Sequence, residues 1–163
     1  MSVRDVRPWL VTLSLLLAFA LTLLPLPAWL AGLRPYWVAL VLIYWNLETG
    51  RLRHLGQAFL LGVFLDITTG TLLGQHALGL VILVFLLERF RARIRFFPPW
   101  QQAAAIAALL LNERIIQFWV IVLIGNDWPD WSWWLSPLVG VLFWPWLFLL
   151  LDALRQRQRL QKP

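Results

Sequence analysis

Cysteine is absent from this chain of 163 residues, and charged residues make up only 13% of it. Without cysteine there are no disulfides, no thiolate metal sites and no cysteine nucleophiles. Hydrophobic residues make up 61% of the chain. A soluble domain of this length could not bury so much apolar surface. Apolar runs separated by short polar breaks instead predict a single polytopic membrane domain over residues 1–163.

Six apolar runs predict an all-α integral membrane protein, a six-helix transmembrane bundle with spans near 9–24, 36–47, 55–66, 75–87, 100–124 and 135–153. The second and third spans have about 12 residues and would rise only about 18 Å, against roughly 30 Å of hydrocarbon. They must extend into their flanks, meet thinned lipid or be shielded by longer neighbours. No small-residue cleavage site follows the first run, so we interpret it as a retained helix rather than a signal peptide.

Positive charge is concentrated on one side of the predicted membrane. With the N-terminus inside, the inner segments hold twelve Arg and Lys residues, whereas the outer segments hold only Arg34, together with Asp127 and Asp130. This bias predicts that both termini are cytoplasmic. The net charge of +6 therefore indicates topology rather than binding to nucleic acid.

The stretch Phe59–Gly79 is apolar but carries one carboxylate, Asp66, and one imidazole, His76. A polar break from Ile67 to Leu73 predicts a tight helical hairpin in the membrane. If this stretch is helical, the glycines at positions 62 and 70 lie on the same face of the helix as Asp66. A neighbouring backbone could then come close to that face, and the carboxylate must face protein rather than lipid. The predicted helix-packing glycines are Gly62, Gly70, Gly74 and Gly79.

The intramembrane polar residues fall at one predicted depth. At 1.5 Å per residue, Asp66, His76 and Arg114 all lie about 17–20 Å from the inner face. Asn112 and Glu113 are at the same level. We therefore expect one polar layer joining spans three, four and five. Its predicted ion pair is Asp66 with Arg114, because an unpaired charge there would cost several kcal/mol.

Three interpretations of this layer stay open: polar contacts that hold helices together, a substrate or ion pathway, and a contact surface for another membrane protein. Catalysis has little support, because one Asp and one His come without an activated serine, a second carboxylate at a useful spacing or a metal-binding trio. We expect no catalytic residue, no metal and no cofactor.

Two surface segments are candidate contacts with lipid or with a partner. The run from Arg89 to Arg95 alternates charged and apolar side chains, which is typical of a topology anchor at the headgroups or of a docking face for a cytoplasmic protein. The outer segment is denser in aromatics than a membrane belt requires. The candidate residues are Arg89, Arg91, Arg93, Arg95, Trp131, Trp133 and Trp134.

Five segments, in order along the chain, together resemble the MreD family of bacterial rod shape-determining membrane proteins. They are Arg34–Trp45, Ala58–Asp66, Gly70–Leu78, Phe97–Gln102 and Leu142–Leu147. The chain departs from the family pattern after Trp45, where Asn46–Arg51 replaces an expected Pro-His-Arg loop, and at Glu113 and Arg114.

The resemblance implies a non-enzymatic subunit of the cell-elongation machinery (the elongasome) in the bacterial inner membrane, supporting peptidoglycan synthesis. The implied direct partner is MreC, and the implied indirect partners are MreB, RodZ, RodA and a class B penicillin-binding protein. The family is also distantly similar to the vitamin-binding S-components of energy-coupling-factor transporters, which gives an alternative function as a small-molecule-binding transporter subunit. Against that alternative, the first helix lacks an Ala-x-x-x-Ala motif; Ala18 and Thr22 are its nearest approach.

Overall fold

The structure, a computed structural model, describes residues 8–27, 32–49, 54–125 and 127–160. These residues form six helices and no strands, so the predicted all-helical fold is confirmed for this part of the chain. The helices are α1 Pro8–Leu23, α2 Trp37–Thr49, α3 His54–Thr69, α4 Gln75–Ile94, α5 Pro99–Ile124 and α6 Trp131–Leu160. Each predicted apolar run corresponds to one of them, with ends that differ by one residue at Leu24 and Tyr36 and by more where a helix continues past the run. α4 and α6 also extend through the arginine-rich segments that follow those runs.

Two helices of the described chain are long and apolar enough, by length and composition, to cross a membrane. They are Pro99–Ile124 and Trp131–Arg157. Pro8–Leu23 and Leu55–Thr69 are apolar but shorter. A crossing by all six helices remains a prediction.

The short helix α2 forms the core of the bundle. It contacts α1, α3, α4 and α6, and 11 of its 13 residues are buried. Tyr44 and Trp45 are among the largest fully buried side chains, and the Trp45 indole donates a hydrogen bond to Ser14 Oγ of α1 at 2.8 Å. Of the three ways to accommodate a short span, the structure has the helix shielded by its neighbours.

One end of the bundle, which we call the hairpin end, brings together the end of α1 and the starts of α2, α4 and α6. Arg34, just before α2, donates a hydrogen bond to the Thr22 carbonyl near the end of α1. Ser136, near the start of α6, donates to the Arg34 carbonyl at 2.6 Å. The rings of Tyr36 and His76 meet edge to face with centroids 6.0 Å apart, which places the start of α4 there too.

The opposite end, which we call the arginine end, brings together the ends of α2, α4 and α6. Arg91 of α4 donates from Nε to the carbonyls of Asn46 and Leu47, both at 3.0 Å. Those carbonyls are in the last turn of α2, where no backbone donor remains for them. Arg155 of α6 forms an ion pair with Glu48 of α2. Even-numbered helices therefore all end at the arginine end.

Glycine has two different roles in the predicted hairpin. Gly62 of α3 lies against the backbone of Ala77 in α4, so a β-carbon there would collide with it. Gly79 of α4 receives the side chain of Glu113 from α5, whose Oε1 would lie 3.0 Å from an added β-carbon. These two are packing positions.

The prediction that Gly70 and Gly74 pack helices is wrong. Both lie outside the helices with positive φ angles of 68° and 101°, and no atom lies within 4 Å of a β-carbon added to either. Their role is conformational, because only glycine adopts such backbone angles without strain. α3 continues to Thr69, so the break between the helices is shorter than predicted.

Candidate functional site

Asp66 is a buried carboxylate whose partners all come from the next ten residues. Its two oxygens accept from the Gly74 amide at 2.7 Å, the His76 amide at 2.8 Å and the Thr71 hydroxyl at 3.0 Å. His76 Nδ1 lies 2.8 Å from Oδ1, and because an ionised carboxylate can only accept, the imidazole donates. The structure thus pairs Asp66 with His76, two residues that were predicted only to share one polar layer.

This cluster joins the end of one helix to the start of the next. The Asp66 carbonyl accepts from the Thr71 amide at 3.1 Å, with Gly70 left-handed between them. This is the 6→1 hydrogen bond of a Schellman motif, which ends α3. The side chain of the same residue accepts from amides at the start of α4, where the helix dipole favours an anion. One aspartate thus terminates one helix and caps the other.

The predicted ion pair between Asp66 and Arg114 is wrong. None of the ion pairs among the described residues joins them, and Asp66 pairs with His76 instead. The depth estimate placed both groups at one height but carried no information about direction around each helix axis. The side chain of Asp66 faces its own hairpin. Donors in that hairpin satisfy both carboxylate oxygens, so Asp66 needs no partner from α5.

Arg114 has a separate set of partners. It donates from NH2 to Ser136 Oγ at 2.8 Å and from NH1 to Gln117 Oε1 at 3.3 Å. Its guanidinium carbon lies 4.5 Å above the ring of Trp133, in cation–π geometry. Since Ser136 in turn donates to the Arg34 carbonyl at 2.6 Å, Arg114 links α5 and α6 to the connection between α1 and α2.

Glu113 is buried but poorly satisfied. Its side chain is held by Gln117, four residues along the same helix, through a hydrogen bond to Oε1. Oε2 is buried with no hydrogen-bond partner among the described residues, and so are the Tyr36 hydroxyl and Asn112 Oδ1. Glu113 therefore depends on close packing against Gly79 rather than on a full set of donors.

The predicted polar layer is thus divided into two clusters. The hairpin cluster consists of Asp66, Thr71 and His76, and the α5 cluster consists of Glu113, Arg114 and Gln117 with Ser136. Tyr36 lies between them.

Gln117 and Ser136 were missed by sequence analysis. The first could be found from its i+4 spacing to Glu113. The second could not, because its backbone acceptor lies 102 residues away.

The candidate surface residues differ in their environment. Trp131 is 89% exposed, whereas Trp133 lies beneath Arg114 and Trp134 packs against Phe118 with ring centroids 5.4 Å apart. In the arginine run, Arg91 is half-buried against α2 and Arg95 NH2 lies 4.0 Å from Glu48 Oε2. Arg89 and Arg93 are exposed.

A groove of about 440 Å³ lies beside the hairpin, lined by apolar side chains that include Phe59, Leu73 and Val120. None of Asp66, His76, Glu113 and Arg114 lines it. Within the described ranges, no group of three or more His, Cys, Asp or Glu side chains could hold a metal ion. The polar residues of both clusters connect helices, and two of the six described helices are long and apolar enough to cross a membrane. These features define the class of the chain as a helical bundle of membrane-protein character with internal polar cross-links.

Comparison with known proteins gives the family. The model of the rod shape-determining protein MreD family matches residues 3–154. A rod shape-determining protein MreD from Haemophilus influenzae is 31% identical over 161 residues, which cover 98% of this chain and 99% of that protein. No solved structure matches the chain. The chain belongs to the MreD family of rod shape-determining membrane proteins.

Proposed function

We propose that this protein is a non-enzymatic scaffold subunit of the cell-elongation complex in the bacterial inner membrane, required for rod shape. The observation that carries the proposal is the MreD match over residues 3–154, together with the nearly full-length similarity to the Haemophilus influenzae protein. The use of both polar clusters as cross-links between helices and turns supports it, because such groups add stability without offering a reactive site.

The proposed direct partner is MreC, and the proposed wider assembly contains MreB, RodZ, RodA and a class B penicillin-binding protein engaged in peptidoglycan synthesis. We propose that MreC contacts a helix face that the bundle leaves exposed. Trp119, five residues before the end of α5, and Trp146, near the middle of α6, are 60% and 75% exposed on apolar helices. Trp146 in particular lies away from the helix ends, where tryptophan is usual. Trp is frequent at interaction hot spots.

Co-purification with site-specific crosslinking tests this proposal. A photoreactive amino acid replaces Trp119, Trp146 or Trp131 in the tagged full-length protein, and Trp144, which is 2% exposed on the same helix as Trp146, is the matched control. We expect MreC in the purified complex and crosslinked to at least one exposed position but not to Trp144. Purification without MreC, or with a transporter ATPase module in its place, would contradict the scaffold function.

We also propose that the chain is one polytopic domain that crosses the membrane six times with both termini in the cytoplasm. The alternation of helix ends supports this, because the arginine end collects the ends of α2, α4 and α6 together with most of the described arginines. α2 crosses within the bundle, shielded from lipid by its neighbours.

The absence of cysteine makes the topology easy to measure. Single cysteines replacing Asp127 and Arg157 are treated with a membrane-impermeant maleimide. We expect Asp127→Cys to react in spheroplasts and Arg157→Cys to react only after permeabilisation. Reaction of both in intact spheroplasts would exclude the proposed arrangement.

A further inference from the structure

The arginine run at the end of α4 separates into two pairs. Arg91 donates to the carbonyls of Asn46 and Leu47, and Arg95 lies beside Glu48. These two therefore point toward α2 and neutralise charge or carbonyl dipoles within the protein. Removing either one would affect the packing of the bundle.

Arg89 and Arg93 point away from the bundle. Both are exposed, and the side chain of neither forms a hydrogen bond or ion pair with any residue that the structure describes. They are four residues apart and so lie on one face of the helix, where two like charges repel each other. An anion between them would remove that repulsion.

Exposed aromatic side chains surround this pair in the sequence. Phe90 precedes Arg91, Phe96 lies in the connection to α5, and Trp100 lies at the start of α5; the last two are 85% and 70% exposed. Large aromatics at the end of apolar helices favour the boundary between hydrocarbon and headgroups. They would hold the end of α4 at the depth where phosphate groups lie, and guanidinium groups bind phosphate through paired hydrogen bonds.

We propose that Arg89 and Arg93, flanked by Phe96 and Trp100, form a binding site for the phosphate of an anionic phospholipid. The charge of the pair is complementary to that headgroup, and the flanking aromatics fit the adjoining acyl region. The proposal goes beyond the scaffold function and does not depend on MreC; it requires only that the arginine end lies at a membrane surface. Arg91 and Arg95 take no part in it.

The test uses purified full-length protein in detergent micelles, titrated with phosphatidylglycerol or phosphatidylcholine and measured by native mass spectrometry. Each basic residue near an anionic surface contributes about 1 kcal/mol, so Arg89→Gln with Arg93→Gln should weaken phosphatidylglycerol binding roughly thirtyfold. Arg157→Gln with Arg159→Gln removes the same charge from the end of α6 and should leave binding within about twofold. Phosphatidylcholine should bind equally weakly to all three proteins.

Three outcomes would overturn the proposal. Equal losses in the two double variants would indicate general charge attraction. Displacement of phosphatidylglycerol by millimolar inorganic phosphate would indicate a site for free phosphate. If the unmodified protein binds phosphatidylglycerol no better than phosphatidylcholine, the partner of Arg89 and Arg93 is a cytoplasmic protein rather than a lipid. Two controls distinguish a lost site from a misfolded protein. One is the double variant Arg89→Lys with Arg93→Lys, which keeps both charges, and the other is the thermal unfolding midpoint of every variant.

Discussion

Asp66 and Glu113 are both fully buried carboxyl side chains in apolar helices, but they are stabilised in different ways. Asp66 accepts hydrogen bonds from two amides, a hydroxyl and an imidazole, all supplied by residues 71–76. Glu113 receives one hydrogen bond from Gln117, and its second oxygen has no partner among the described residues. The first is satisfied by the turn that follows it, whereas the second relies on the packing of neighbouring helices.

The comparison shows that burial alone does not determine how many hydrogen bonds a carboxylate receives. Asp66 lies where a helix ends and another begins, so free backbone amides are available to it. Glu113 lies in the middle of a 26-residue helix whose amides are already used by the helix itself. A helix end can supply donors that a helix interior cannot.

The largest expected effect is that of Asp66→Ala. The change leaves the amides of Gly74 and His76 and the Thr71 hydroxyl without acceptors, and we expect the free energy of unfolding to fall by about 3 kcal/mol. Unfolding by SDS in mixed micelles, followed by tryptophan fluorescence, measures it. Asp127→Ala, at an exposed carboxylate, is the control and should change stability by less than about 0.5 kcal/mol. Similar losses of unfolding free energy in the two variants would show that the hairpin cluster contributes nothing to stability.

Gly62→Ala should weaken the same hairpin from its other side. The new methyl group meets the Ala77 backbone, which cannot rotate away, so we expect a loss of about 1–3 kcal/mol. Gly56→Ala on the same helix meets no atom within 4 Å and should stabilise the protein by about 0.5–1 kcal/mol through helix propensity. The two glycines should therefore change stability in opposite directions. A gain from Gly62→Ala would mean that α3 and α4 are farther apart than described.

Two double-mutant cycles test the division of the polar layer. Asp66 with His76 should show a coupling free energy of about 1 kcal/mol or more, because the two groups share a hydrogen bond. Asp66 with Arg114 should be additive within about 0.5 kcal/mol. The same SDS unfolding measurement serves for both cycles. Strong coupling of Asp66 with Arg114 would restore the single layer expected from the sequence.

The smallest expected effect is that of Glu113→Gln. It keeps the size of the side chain against Gly79 and removes at most one hydrogen bond, so we expect a change below about 1 kcal/mol. Asp66→Asn, measured in parallel, should cost more, because an amide can no longer accept from every donor of the turn. A larger loss at Glu113 would contradict the contrast between the two carboxyl groups.

Much of the helical pattern was predictable because its signals are local. The apolar runs gave the six helices, and the polar break with its glycines gave the hairpin between α3 and α4. Proline at the start of α5 and a left-handed Gly125 at its end match the usual residues at helix ends. Positive charge at the ends of α4 and α6 likewise gave the arginine end.

The polar partners were less predictable because they depend on direction around each helix. The position of Asp66 along its helix could be predicted, but not whether its side chain points toward His76 or toward Arg114. Gly70 has the right spacing for a packing stripe, yet the helix ends before it. The hydrogen bond from Ser136 to Arg34 depends on α6 packing beside the start of α2, which no local pattern encodes.

The burial of α2 has a consequence for how the protein is made. Three of the four helices that cover it, α3, α4 and α6, follow it in the chain and leave the ribosome later. With 13 residues it rises only about 20 Å, too little to anchor itself across a bilayer. In the proposed six-span arrangement, α2 therefore remains beside α1 or within the insertion machinery until its later neighbours arrive. A chain truncated before α6 should be recognised by membrane quality control, because one side of its shortest helix stays uncovered.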